Sequence, residues 1–178
     1  MYIDDGKGKG IQAEISIDNQ LMVKSSTNPS YAYNSMSKGT MFRWISSYAA
    51  TAADFVMYLM NTDQANLFRI NRVIFGSTVN TIWTMYKITG GTPAGTAITG
   101  VNLNWGSGKV ATVTALGNAA VTGSPTGTII NYGMTLANTN DMVLIEGSIV
   151  MPVNTAWAIK ASATGTVYVL LEGWFEPI

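Results

Sequence analysis

Turn-forming residues punctuate the chain about every eight to twelve residues, and the runs between them are short, apolar and rich in β-branched and aromatic side chains. Residues 11–18 alternate strictly: Ile11, Ala13, Ile15 and Ile17 share one face, and Gln12, Glu14, Ser16 and Asp18 the other. That period of two describes a half-buried strand. Further strand-like runs cover 40–45, 55–60, 66–75, 81–89, 97–103, 109–116, 128–136, 142–151, 155–162 and 166–176. Within 81–89, Trp83 and Met85 face away from Ile82, Thr84, Tyr86 and Ile88. Gly147 marks a bulge, and Ala163-Thr164-Gly165 a compact hairpin turn. In the last run both faces are apolar enough for burial, which places it centrally in a sheet. Tyr48-Ala49-Ala50-Thr51-Ala52-Ala53 favours a helical turn by propensity. Helical periodicity is otherwise missing, so the pattern predicts an all-β antiparallel β-sandwich or barrel. The expected division is an N-terminal arm over 1–10 and a single sandwich domain over 11–178.

Composition narrows the chemistry. The 178 residues include no cysteine and no histidine. Disulfides, thiolate metal sites, His-ligated metals and Ser-His or Cys-His catalysis are thereby removed. An enzyme would depend on carboxylates, a Ser-Lys pair or a tyrosine. Glu146 and Glu172 lie within strong strands and are the one carboxylate pair worth inspecting for glycosidase-type chemistry, against a plain role as partners of Arg43, Arg69, Arg72 or Lys160. Asn61-Thr62-Asp63 and Asn138-Thr139-Asn140-Asp141 offer oxygen ligands for calcium, but their spacing is that of Asx turns rather than of an EF-hand. The expectation is a non-enzymatic protein with no cofactor and no metal.

Charged residues are 11% of the chain, with ten of each sign and no net charge. An average soluble protein carries about 25%. Either other subunits cover much of the surface, or a polar Thr/Asn/Ser/Gly coat keeps it soluble. Nothing in this balance favours nucleic acid, which needs clustered Lys and Arg. No apolar run of about 18 residues predicts a membrane-spanning helix. The polar start, MYIDDGKGKG, does not read as a signal peptide, so synthesis in a cytoplasm is expected.

Partner contact is sought in the irregular segments. Lys7 and Lys9 alternate with glycines in the arm; Tyr31, Tyr33 and Met36 sit in a long polar loop over 25–40. Tyrosines there supply contact area at low entropic cost, or lie back on the sandwich. Of the five tryptophans only Trp105, on a glycine-flanked loop, has a setting for exposure. Exposed aromatics of this kind serve protein contacts or stack on sugars.

Four segments then carry a family likeness: Tyr58-Leu59-Met60-Asn61-Thr62-Asp63, residues 67–75, Lys87-Ile88-Thr89-Gly90-Gly91-Thr92-Pro93-Ala94-Gly95-Thr96, and Val101-Asn102-Leu103-Asn104. Gly147-Ser148-Ile149-Val150-Met151-Pro152 and the alternating 167–175 close it. Together they resemble the small jelly-roll virion proteins of tailed bacteriophages that decorate or cement the head. The likeness covers the chain from residue 55 onward and rests on turns and strand patterns, so it transfers no catalytic residue. It implies a jelly-roll sandwich at the capsid surface, a homo-oligomer (a trimer), with the major capsid protein as partner. The competing expectation is a carbohydrate- or receptor-binding sandwich of a phage tail fibre.

Overall fold

The computed structural model describes residues 2–4, 12–15, 21–22 and 38–178. The first three pieces, β1 (Tyr2–Asp4), β2 (Gln12–Ile15) and β3 (Leu21–Met22), pair antiparallel in a small sheet of their own. The sandwich strands begin at Met41. They are β4 (Met41–Ala50), β5 (Phe55–Asn61), β6 (Asn66–Ser77), β7 (Thr81–Gly90), β8 (Val101–Asn102), β9 (Val113–Leu116), β10 (Thr126–Thr135), β11 (Thr139–Met151), β12 (Ala156–Ala161) and β13 (Gly165–Pro177).

Two five-stranded antiparallel sheets result, in the orders β11-β6-β13-β4-β8 and β10-β7-β12-β5-β9. Setting aside the short β8 and β9, each sheet has four long strands, and every link between consecutive long strands except β7 to β10, which are neighbours in one sheet, crosses from one sheet to the other. This is the jelly-roll order, and β13 is central as its two apolar faces require. The tight turn before Gly165 therefore joins two sheets instead of making a hairpin, a correction to the sequence reading. The helical turn expected near residue 48 is also replaced. Tyr48, Ala49 and Ala50 are opposite Val167, Thr166 and Gly165, and those ladder bonds override a weak alanine preference.

The alternation predicts the core correctly. Trp83 and Met85 from β7, Trp157 and Ile159 from β12, Val169 and Leu171 from β13, and Phe68, Ile70 and Phe75 from β6 meet between the sheets with Phe42 and Trp44. Trp44 and Phe68 meet edge to face at 5.4 Å, a favoured aromatic geometry. The long connection from β7 to β10 is not a bare loop. Its Leu116 and Val121 cluster with buried Tyr58, Ala156 and Ala158 of β5 and β12.

Candidate functional site

The chemistry-bearing residues resolve into structural roles. Glu172 is 2% exposed although it sits on the outer face of its sheet, because Arg43 and Arg72 flank it across the ladder. Arg43 donates to its Oε1 from Nε (2.8 Å) and Nη2 (2.5 Å), and Arg72 donates from Nε to Oε2 (2.6 Å) and from Nη2 to Oε1 (3.0 Å). Burial pushes the Glu172 carboxyl up, but the hydrogen bonds and charges of Arg72 and Arg43 outweigh it and hold the group below the usual glutamate range. Glu146, the other member of the inspected pair, is exposed on a bulge at φ 51°, beside Gly147 at φ 80°. The bulge brings Gly147 against the Trp174 indole. The expected bulge is therefore present, and Glu172 is held in an ion triad.

The side chains of both calcium candidates are engaged in local structure. Asn61, fully buried, donates to the Asn66 and Met151 carbonyls at 3.0 and 2.8 Å and accepts from the Asp63 amide at 3.0 Å. Asp63 in turn accepts from the Ala65 amide and the Asn66 side chain. Burial raises its carboxyl pKa, and these bonds together with Thr112 lower it further than burial raises it. Asn138 takes φ 60° at the head of β11, and Asp141 accepts from the Trp83 indole N–H at 3.0 Å. No group of three or more potential metal-ligating side chains occurs among the described residues.

Trp105 is different. It is 91% exposed, while Trp44, Trp83, Trp157 and Trp174 are buried. The loop that presents it is held by polar bonds. Asn102 donates to the carbonyls of Gly39 (2.9 Å) and Lys109 (3.1 Å) and accepts from the Asn104 amide, while Asn104 accepts from the Gly106 amide. Lys109 Nζ donates to the Lys38 carbonyl at 2.9 Å. Gly39, at φ 57°, leaves room for Ser107, whose Oγ would stand 2.5 Å from a Cβ there. A loop tied to Lys38 and Gly39 thus holds an indole in water near exposed Val101 and Val110. Lys7, Lys9, Tyr31, Tyr33 and Met36, the other expected contact residues, lie outside the described residues.

Two apolar surfaces lay outside the sequence reading. On the outer face of the β6–β13 sheet, Ile45, Leu170, Ile74 and Met142 are direct cross-strand neighbours in a row over four strands, next to the Arg43–Glu172–Arg72 row. On the other sheet, Ile129, Tyr132 and Met134 of β10 are exposed together with Ile82. A cavity of about 520 Å³ opens nearby, lined by Lys87, Ile130, Val150, Met151, Pro152 and Trp157. Alternation alone could have flagged Tyr132 and Met134, but which strands flank them depends on the strand order.

Compared with protein-family models, curated proteins and solved structures, the chain matches none of them.

Proposed function

We propose that the protein is a non-enzymatic structural component of a bacteriophage virion, a decoration or cement protein that binds the head shell as a homo-oligomer. The observation that carries this reading is Trp105, an almost fully exposed indole on a loop tied down by side-chain hydrogen bonds. Exposing that much apolar surface on a pre-ordered loop is unfavourable in the free protein and favourable on a partner, since little entropy is lost on docking. The jelly-roll topology, the apolar rows on both sheets and the low charge support the same reading. The shell partner is the major capsid protein, and the working location is the capsid surface of a particle assembled in the host cytoplasm.

Co-sedimentation of the purified protein with heads lacking it tests the proposal. Wild type is expected to pellet with heads and to delay their rupture on heating. Trp105→Ala should weaken binding by about 2 kcal/mol or more, as buried aromatic anchors do. Failure of the wild type to bind any head preparation would end the reading. The same exposed ring also favours a second reading, a sugar- or receptor-binding module of a tail fibre, because a flat indole stacks on a sugar face. A glycan array probed with wild type and Trp105→Ala separates the two.

A further inference from the structure

Four sheet edges flank this sandwich, and three are protected against pairing. The β8 and β9 edges are two and four residues long. The β11 edge carries Asp141 and Glu146, and its register breaks between Leu144 and Ile149. Short strands, charges and bulges are the usual devices that keep edges from joining another chain. The fourth edge, β10, has register shifts at Thr126/Gly127 and at Ile130, and is open from Asn131 to Thr135. It is ten residues long (TGTIINYGMT), without a charge or a proline, and no described strand pairs with its outer side. Among the described residues its outer side has no ladder, the Tyr132 amide donating instead to Asn131 Oδ1 at 2.8 Å, and Ile129, Tyr132 (73% exposed) and Met134 stand in water.

We infer that β10 is a homotypic interface, pairing antiparallel with β10 of a second copy about a two-fold axis to make one continuous sheet across the dimer. A second copy fits because the strand is uncharged, so self-pairing brings no like charges together. The register against β7 supplies the rest. Ile129 is opposite Tyr86, Asn131 opposite Met85 and Tyr132 opposite Thr84, so the bulge residue Ile130 is skipped and Ile129 and Tyr132 fall on the same face. With the axis at Asn131, Ile129 of each copy meets Tyr132 of the other. Symmetry makes this β-branched–aromatic pair twice, among the more favourable cross-strand combinations. The Trp105 loop follows β8 on the opposite side of the sandwich, so both loops stay free at the ends of the dimer. Two-fold pairing gives a dimer where the resemblance implies a trimer. The inference concerns the chain alone, and loss of head binding would leave it standing.

Sedimentation equilibrium of the full chain is expected to show a dimer. Ile129→Lys with Tyr132→Lys puts lysine opposite lysine at both crossings, and the dissociation constant should rise by about 10- to 100-fold. Ile129→Glu with Tyr132→Lys puts opposite charges across the same crossings and should restore the dimer. These side chains are exposed in the single chain, so each variant should still unfold cooperatively from an unchanged β spectrum, with the double lysine variant losing only the stability that dimerisation adds. Because the chain has no cysteine, single substitutions Thr128→Cys, Ile129→Cys, Ile130→Cys, Asn131→Cys, Tyr132→Cys and Met134→Cys report on the axis without background. Oxidation should give covalent dimer with a maximum at Asn131→Cys, and a maximum at another of the six supports the pairing with a shifted axis. A monomeric or trimeric wild type, a dimer indifferent to the double lysine change, or no cross-link at any of the six positions overturns the inference.

Discussion

Replacing Glu172 tests whether a buried charge on the outer face of a sheet holds three strands together. The carboxylate is enclosed by two guanidiniums and accepts four hydrogen bonds, from strands on either side of β13. Removing one partner of a buried ion pair costs about 3–5 kcal/mol because the remaining charge is left without compensation. Here the two arginine side chains are 36% and 33% exposed, so water recovers part of that loss. Glu172→Ala should therefore cost about 2–3 kcal/mol near neutral pH. That lowers Tm by about 4–12 °C for a chain of this size. Glu172→Gln keeps the shape and one acceptor and should cost about 1–2 kcal/mol.

The pH dependence has a definite sign. The folded pKa of Glu172 lies below its unfolded value. Its contribution is thus present in full above the unfolded glutamate pKa of about 4.3 and is lost as pH falls through the depressed folded value. Urea unfolding followed by tryptophan fluorescence, repeated from pH 7 to pH 2.5, should show wild type converging on Glu172→Gln at the acid end. Converting the whole triad to apolar residues (Arg43→Met, Glu172→Leu, Arg72→Met) should leave neutral stability within about 1 kcal/mol of wild type, since pairing and desolvation nearly cancel. A Glu172→Ala variant within about 0.5 kcal/mol of wild type at pH 7, or a gap to Glu172→Gln that does not narrow in acid, would refute the reasoning.

Three further outcomes are expected. Asn61→Ala removes the two donors that serve the Asn66 and Met151 carbonyls in a dry corner, and chemical denaturation should show a loss of about 2–3 kcal/mol. Gly173→Ala would put a Cβ 2.5 Å from the Arg69 carbonyl oxygen and into the Phe68 ring, so it should lower stability by about 1–3 kcal/mol in the same assay. Trp105→Ala touches none of the core and should leave Tm within about 2 °C of wild type by calorimetry.

Of the candidate site, the residue types and one position were legible in the sequence. Trp105 stood out because glycine and asparagine turns flank it where its four counterparts sit in strands. Its clamp was not legible, because Asn102 reaches Gly39 and Lys109 reaches Lys38 only after β8 has paired with β4. The arginine partners of Glu172 were a short roster, and register chose Arg43 and Arg72 from it. The open edge at β10 was invisible for the same reason. Its sequence is that of an ordinary moderate strand, and an edge is a property of what fails to lie beside it.

The alternation of apolar and polar residues, with its Gly, Pro and Asn punctuation, by itself determined that this chain is all-β, which side chains face inward and where most strands end. Those are local consequences of a two-residue period and of backbone angles that few residues adopt. Strand order, the crossing between sheets at all but one link of the eight long strands, the ion triad and the exposed apolar rows were decided only by tertiary structure. Each depends on contacts between distant residues, such as Arg43 and Glu172, separated by 129 positions. No local preference encodes which of several similar strands becomes the neighbour; packing of the two sheets selects it.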